Sequence, residues 1–131
     1  MIDFEMERVS QSTSVVRVRG VLNGSSRNYF FECIADLLGD DGGETNKVKN
    51  VIIDCNGLGF LSSSGMAALL TSRTTAKRRG TKIYLTHLNS TIAKALEITK
   101  LNSLLAVYPT TREILLKLNT GYLIENPIPA P

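Results

Sequence analysis

The stretch Val51-Ile52-Ile53-Asp54-Cys55-Asn56-Gly57-Leu58-Gly59-Phe60-Leu61-Ser62-Ser63-Ser64-Gly65-Met66 decides the fold. Val51-Ile52-Ile53 is a continuous apolar run inside the segment from Val48 to Cys55. A run without polar alternation suits a central strand buried on both faces. Asn56 to Leu61 reads as a tight loop, with Gly57 and Gly59 permitting the turn. Ser62-Ser63-Ser64-Gly65 then opens a helix predicted over Ser64 to Arg79, where Met66, Leu69, Leu70, Arg73 and Ala76 recur at helical spacing. Lys77, Arg78 and Arg79 fall in its last turn, where cations face the negative end of the helix dipole, and Gly80 supplies the stop.

Towards the N-terminus, residues 4–9 and 13–19 read as two short strands. The polar link Ser10-Gln11-Ser12 makes them an antiparallel hairpin. Asn23-Gly24-Ser25-Ser26 marks a turn and a helix start, and the spacing of Tyr29, Phe30, Cys33, Ile34, Leu37 and Leu38 predicts a helix over 26–39. The polar, Gly-rich residues 39–47 read as a surface loop within one domain. Towards the C-terminus, Lys82 to Thr86 reads as a strand and Asn89-Ser90-Thr91 caps a helix over 90–99. Leu104 to Tyr108 is a further strand, and Pro109-Thr110-Thr111 opens a last helix that buries Ile114, Leu115 and Leu118.

The order β-β-α-β-α-β-α-β-α places the chain in the α/β class. It predicts a small mixed sheet of parallel strands with an antiparallel N-terminal edge and about four helices packed on it. A single domain over 1–118 is expected, followed by a loose, Pro-rich tail over 119–131.

Composition excludes several classes of function. The net charge of +3 is mild, the only basic run is Lys77-Arg78-Arg79, and there is no Trp. Direct nucleic-acid binding needs a denser basic stripe or a stacking platform. No apolar stretch approaches the ~20 residues of a membrane span. Met1 to Glu5 lack a signal-peptide pattern, so a cytoplasmic protein without membrane insertion is expected. Cys33 and Cys55 each lie in apolar surroundings and read as buried, reduced thiols.

No catalytic pattern emerges. Gly57, Gly59 and Gly65 do not have dinucleotide-fingerprint spacing, and no Gly-Lys-Ser/Thr closes a phosphate loop. A Gly-x-Ser-x-Gly elbow is absent, and the only histidine, His87, reads as structural. No metal-ligand spacing is present, and no cofactor is implied. The expectation is a binding module rather than an enzyme, with a small nucleotide-hydrolysing enzyme disfavoured by the missing loop and base. The cluster Ser62-Ser63-Ser64 carries two readings. One serine caps a helix by accepting from free N–H groups. Alternatively a serine is a phosphorylation switch, because a helix N-terminus tolerates a phosphate.

Three segments in order resemble the STAS domain family, specifically bacterial anti-sigma factor antagonists. They are Val51 to Met66, Arg78-Arg79-Gly80-Thr81-Lys82-Ile83-Tyr84-Leu85, and Ala95 to Leu105. The first is similar to the family's strand ending in Asp, a turn, then Phe, an apolar residue and Asp-Ser-Ser-Gly. The likeness covers about residues 4–118. It implies a STAS-like fold and a regulator that binds an anti-sigma factor which is also a serine kinase. By position it implies phosphorylation at Ser64, with Ser63 as next candidate, and reversal by a serine phosphatase. Ser62, Ser63, Gly65, Met66, Asn23 and Asp54 become the implied partner-binding residues. The family's acids are replaced by Ser62 in the serine element and by Asn23 after Gly20-Val21-Leu22. A second implication is a STAS scaffold or accessory module in a signalling or transporter complex, working without phosphorylation.

Overall fold

The computed structural model of the chain describes residues 1–39 and 48–118. Five strands form one sheet in the order β1-β2-β3-β4-β5: Ile2–Arg8, Thr13–Leu22, Asn50–Leu61, Lys82–Thr86 and Ala106–Tyr108. The helices are α1 Arg27–Leu38, α2 Ser63–Arg78, α3 Ser90–Ile98 and α4 Thr111–Lys117, with a 3₁₀ turn at Leu101–Ser103. β1 pairs antiparallel with β2, and every later pairing is parallel. The predicted α/β class and the antiparallel N-terminal edge are therefore both present.

Topology decides which face each helix covers. The parallel strands are laid down in sequence order across the sheet. Right-handed crossovers that advance in one direction put their helices on one face. Phe30 and Ile34 of α1, Ala68 and Leu69 of α2 and Ile92 and Leu96 of α3 accordingly share one core with Val16, Val18, Val51, Ile53 and Leu85. α4 follows the last strand and packs on the opposite face, where Ile114 and Leu115 meet Val15, Ile52 and Tyr84. α4 reaches Val15 near the start of β2, and further along β2 and β1 the same sheet carries charged pairs. There Arg17 pairs with Glu5 and Glu7, and Arg19 with Asp3 and Glu5.

The largest departure from the sequence reading is β3. Asn56 to Leu61 is strand, not a tight loop. Beyond Asp54 the buried residues are Cys55, Leu58 and Leu61, every third position. A straight strand alternates with period two. Two register shifts between β2 and β3, at Arg17/Arg19 and Gly20/Val21, break the alternation and disguise the strand. Gly57 is there for close approach: a Cβ would lie 2.5 Å from Arg19 Cγ and 3.0 Å from the Val18 carbonyl oxygen. β2 likewise runs through Gly20 to Leu22, past the expected end at residue 19. At the other extreme, β5 is shorter than expected, because Leu101–Ser103 form the 3₁₀ turn and the strand begins only at Ala106.

The remaining boundaries follow local chemistry. Asn89 accepts from the Ile92 N–H at 2.8 Å to start α3, and Thr110 accepts from the Glu113 N–H at 3.0 Å to start α4. Gly80 ends α2 with φ +77°. His87 is structural, its Nε2 accepting from the Thr111 N–H at 3.1 Å. The expected loop beyond Gly39 and the expected tail over 119–131 lie outside the described residues. Among the described residues, no helix is long and apolar enough to cross a membrane.

Both cysteines are free and buried. Burial, with a smaller push from Asp36, raises the Cys33 thiol to about 11. Burial, with Asp54 beside it, raises Cys55 to about 12. A raised thiol pKa means that the folded state holds the proton more tightly than the unfolded chain, whose thiols titrate near 9.0. Stability should thus fall as pH climbs through the interval above 9.0. At neutral pH, iodoacetamide should label neither thiol appreciably in the native protein and both in urea, with Cys33 first as urea is added. Mass spectrometry of labelled peptides checks this, and rapid native labelling of Cys55 would contradict the burial.

Candidate functional site

The site forms where β3 passes into α2. Leu61 ends the strand and Ser63 begins the helix, leaving only Ser62 between them. Ser62 is extended, with φ −83° and ψ 175°, and its Oγ accepts from the Gly65 N–H at 3.1 Å. This is the N-cap arrangement, so Ser62 supplies the cap. The Ser62 N–H donates to the Leu22 carbonyl at 3.0 Å, tying the handover to the end of β2.

Gly65 presses on the same carbonyl. A Cβ there would lie 2.2 Å from the Leu22 oxygen and 2.8 Å from Leu61 Cδ1. The first turn of α2 therefore rests on backbone, and only glycine permits the approach. The turn Asn23–Ser26 closes over it. Asn23 Oδ1 accepts from the Ser25 and Ser26 N–H groups at 3.0 and 3.2 Å, and Ser26 Oγ donates to the Val21 carbonyl at 2.8 Å. A Cβ on Gly24 would be 3.7 Å from Ser64 Oγ, which places this turn directly against Ser64.

The three serines thus have different positions. Ser62 is the half-buried cap, Ser63 is exposed, and Ser64 is half-buried beside Gly24. Among the described residues, neither the Ser64 hydroxyl nor the Ser63 and Ser64 N–H groups form a hydrogen bond. Free N–H groups at a helix start carry partial positive charge and favour an anion. No acidic residue lies in the first turn of α2 to oppose one. Chemically, the arrangement presents an unengaged hydroxyl at an electropositive helix end.

The structure brings Asn23, Ser62, Ser63, Ser64 and Gly65 together. Met66 follows in the first turn, half-buried against the larger core. Asp54 belongs elsewhere. It is on the α4 face with Ile52, its Oδ1 accepting from the Asn56 N–H at 2.9 Å and its Oδ2 from Thr111 Oγ1 at 3.4 Å. The buried face of α2 also differs from the expected one. It comprises Gly65, Ala68, Leu69, Ser72 and Ala76, whereas Met66, Leu70 and Arg73 are half-buried. Sequence reasoning missed Phe60, 54% exposed on the extended part of β3 beside Val21. Strand periodicity could not have found it, because the bulges erase the alternation. Among the described residues, no group of three His, Cys, Asp or Glu could hold a metal ion.

Comparison with known proteins agrees with this fold. The profile of the STAS domain family matches residues 5–114. An anti-sigma factor antagonist from Mycobacterium paratuberculosis superposes with a TM-score of 0.75 at 19% identity, covering 91% of this chain and 95% of its own. The phosphorylated form of the Bacillus cell fate determinant SpoIIAA gives 0.64 at 20% identity, covering 88% and 99%. Part of the murine solute carrier 26 family member A9 anion transporter gives 0.71 at 19% identity, covering 82% of this chain and 18% of the transporter. At these identities the likeness is one of fold. No curated protein matches at the sequence level.

Two substitutions rank the forces at the site. Ser62→Ala removes the cap and should cost about 1 kcal/mol. Gly65→Ala gains about 1 kcal/mol of helix propensity. Overpacking against a backbone carbonyl outweighs that gain, for a net loss of about 1–3 kcal/mol. Urea unfolding of both variants checks the pair, and a Gly65→Ala protein as stable as the parent would refute the close contact.

Proposed function

The chain belongs to the STAS domain family, and we propose that within it the protein is an anti-sigma factor antagonist switched off by phosphorylation of Ser64. Such a protein docks on a kinase-type anti-sigma factor and so frees the sigma factor. The observation that carries the reading is the separation of duties among the serines. Ser62 caps α2, which leaves the Ser64 hydroxyl unengaged and half-exposed at the helix start. Modifying Ser62 would disturb the bond its Oγ makes with the Gly65 N–H.

Phosphorylation would add roughly 1.5–2 negative charges beside N–H groups that have no other partner. The helix dipole offsets part of that charge, so the domain stays folded while its surface changes. A partner seated over Ser63, Ser64, Met66 and the Asn23 turn would then meet a hydrated dianion. Phe60 is the exposed apolar side chain nearest this edge in sequence and suits the rim of such a surface.

Ser62 and Asn23 stand where the resembled pattern carries acids, and both keep the oxygen that the local geometry uses. Ser62 Oγ caps α2, and Asn23 Oδ1 holds the turn. Ser and Asn accept as Asp does at such positions. What they lack is charge, which leaves fewer negative groups beside a Ser64 phosphate. Next candidate for modification is Ser63, exposed in the same turn. The reversing partner is a serine phosphatase. Asp54, on the other face, accepts from Thr111 at the start of α4.

The shared fold of the transporter domain motivates the second reading, an accessory module that works without phosphate. One experiment separates them. The protein is incubated with the kinase-type anti-sigma factor and ATP and examined by intact mass. A single phosphate should appear and vanish in Ser64→Ala. Ser64→Asp should weaken the complex by about tenfold or more, equivalent to at least about 1.4 kcal/mol. Unchanged binding by Ser64→Asp, with no phosphate on the parent, would move the assignment to the accessory reading.

A further inference from the structure

A cavity of about 510 Å³ opens at the far end of α2 from the Ser64 turn, between that helix and the sheet edge. Its origin is the 3₁₀ turn Leu101–Ser103. The turn delays β5 until Ala106, so β5 pairs with β4 only over Tyr84–Thr86. Lys82 and Ile83, the first two residues of β4, are left without a strand beside them on that edge. Ile83, Leu104, Leu105 and Ala106 give the cavity an apolar wall, and Leu104 is 47% exposed. The volume falls inside the range of small-molecule sites, roughly 300–1,000 Å³.

Charge identifies the occupant. Arg73 and Lys77 of α2 also line the cavity, and no acidic residue does. Four positions apart on a helix, they stand side by side, and like charges so placed repel. Among the described residues neither forms an ion pair. Lys82 borders the cavity too, but its ammonium lies 5.2 Å from the centroid of the Tyr84 ring, and Tyr84 belongs to the α4 face. What remains is a half-buried arginine and an exposed lysine, without ion-pair partners, beside an apolar wall. The C-terminal end of a helix itself favours cations, so any attraction for an anion comes from these two side chains.

We propose that this cavity binds a small organic carboxylate with an apolar chain or ring. The carboxylate lies between Lys77 and Arg73, whose planar fork matches it. The apolar part lies on Ile83, Leu104 and Leu105. Bound there, the anion also relieves the repulsion between the two cations. The site is separate from Ser63 and Ser64 and does not depend on the phosphorylation reading.

Octanoate, 1-octanol and inorganic phosphate test it, since octanoate has both charge and chain and each of the others has one. In an amide NMR titration of the full chain at low salt, octanoate should saturably shift signals of residues 73–83 and 103–106. 1-Octanol, with the same chain and no charge, should bind about fivefold more weakly. Phosphate, with no apolar part, should also bind more weakly than octanoate. Arg73→Gln, which keeps a good helix former, should cut the octanoate advantage to about twofold or less and leave 1-octanol binding unchanged. Lys77→Gln, at an exposed position, should do the same, and it decides the matter if Arg73→Gln unfolds the chain. Four results would each overturn the proposal: no saturable octanoate shifts at these residues, 1-octanol binding as tightly as octanoate, phosphate doing so, or an octanoate advantage that survives both substitutions.

Discussion

The carbonyl of Leu22, at the end of β2, receives the Ser62 N–H and lies against the bare α-carbon of Gly65. Those two contacts pin both sides of the single residue that separates β3 from α2. They leave the helix start no freedom to slide, because one contact is a hydrogen bond and the other is close packing against backbone. The position of Ser64 follows from them. So does the position of the Asn23 turn, since β2 leads directly into it and Gly24 then meets Ser64. A site built from strand ends and a helix cap is stiffer than one carried on a long loop, so the Ser64 hydroxyl is held in one place.

The two faces of the sheet carry different work. α1, α2 and α3 bury the larger core and bring the serine turn to one end of it. α4 covers part of the other face, anchored through the contacts of Thr111 with Asp54, Thr86 and His87. Asp54 is thus a strut for the last helix. In sequence it stands ten positions before Ser64. A strand sends successive side chains to opposite faces, and proximity in sequence does not survive that alternation.

The small residues of α2 have a similar logic. Gly65, Ala68, Ser72 and Ala76 share its buried face with Leu69, and Gly65 lets its first turn meet the end of β2. Close approach explains why the helix tolerates so little bulk there. It also explains why a lone hydroxyl, that of Ser72, ends up enclosed beside an apolar groove.

Much of this was legible in the chain itself. The run Val51-Ile52-Ile53 announces a doubly buried strand, and Asn89, Thr110 and Gly80 mark helix boundaries by local hydrogen bonding or backbone freedom. Element order, with right-handed crossovers, then determines a mixed sheet with an antiparallel edge. These are properties of neighbours in sequence, which is why sequence reasoning reaches them. Three other properties depend on distant partners. Residues 56–61 are strand because β2 runs alongside them, with bulges that hide their period. The buried face of α2 starts at Gly65, not Met66, because the Leu22 backbone lies beneath it. Ser62 is the cap and Ser64 the unengaged hydroxyl because β3 ends at Leu61. In a run of three serines local chemistry is degenerate, and only the tertiary contact at Leu22 breaks the tie.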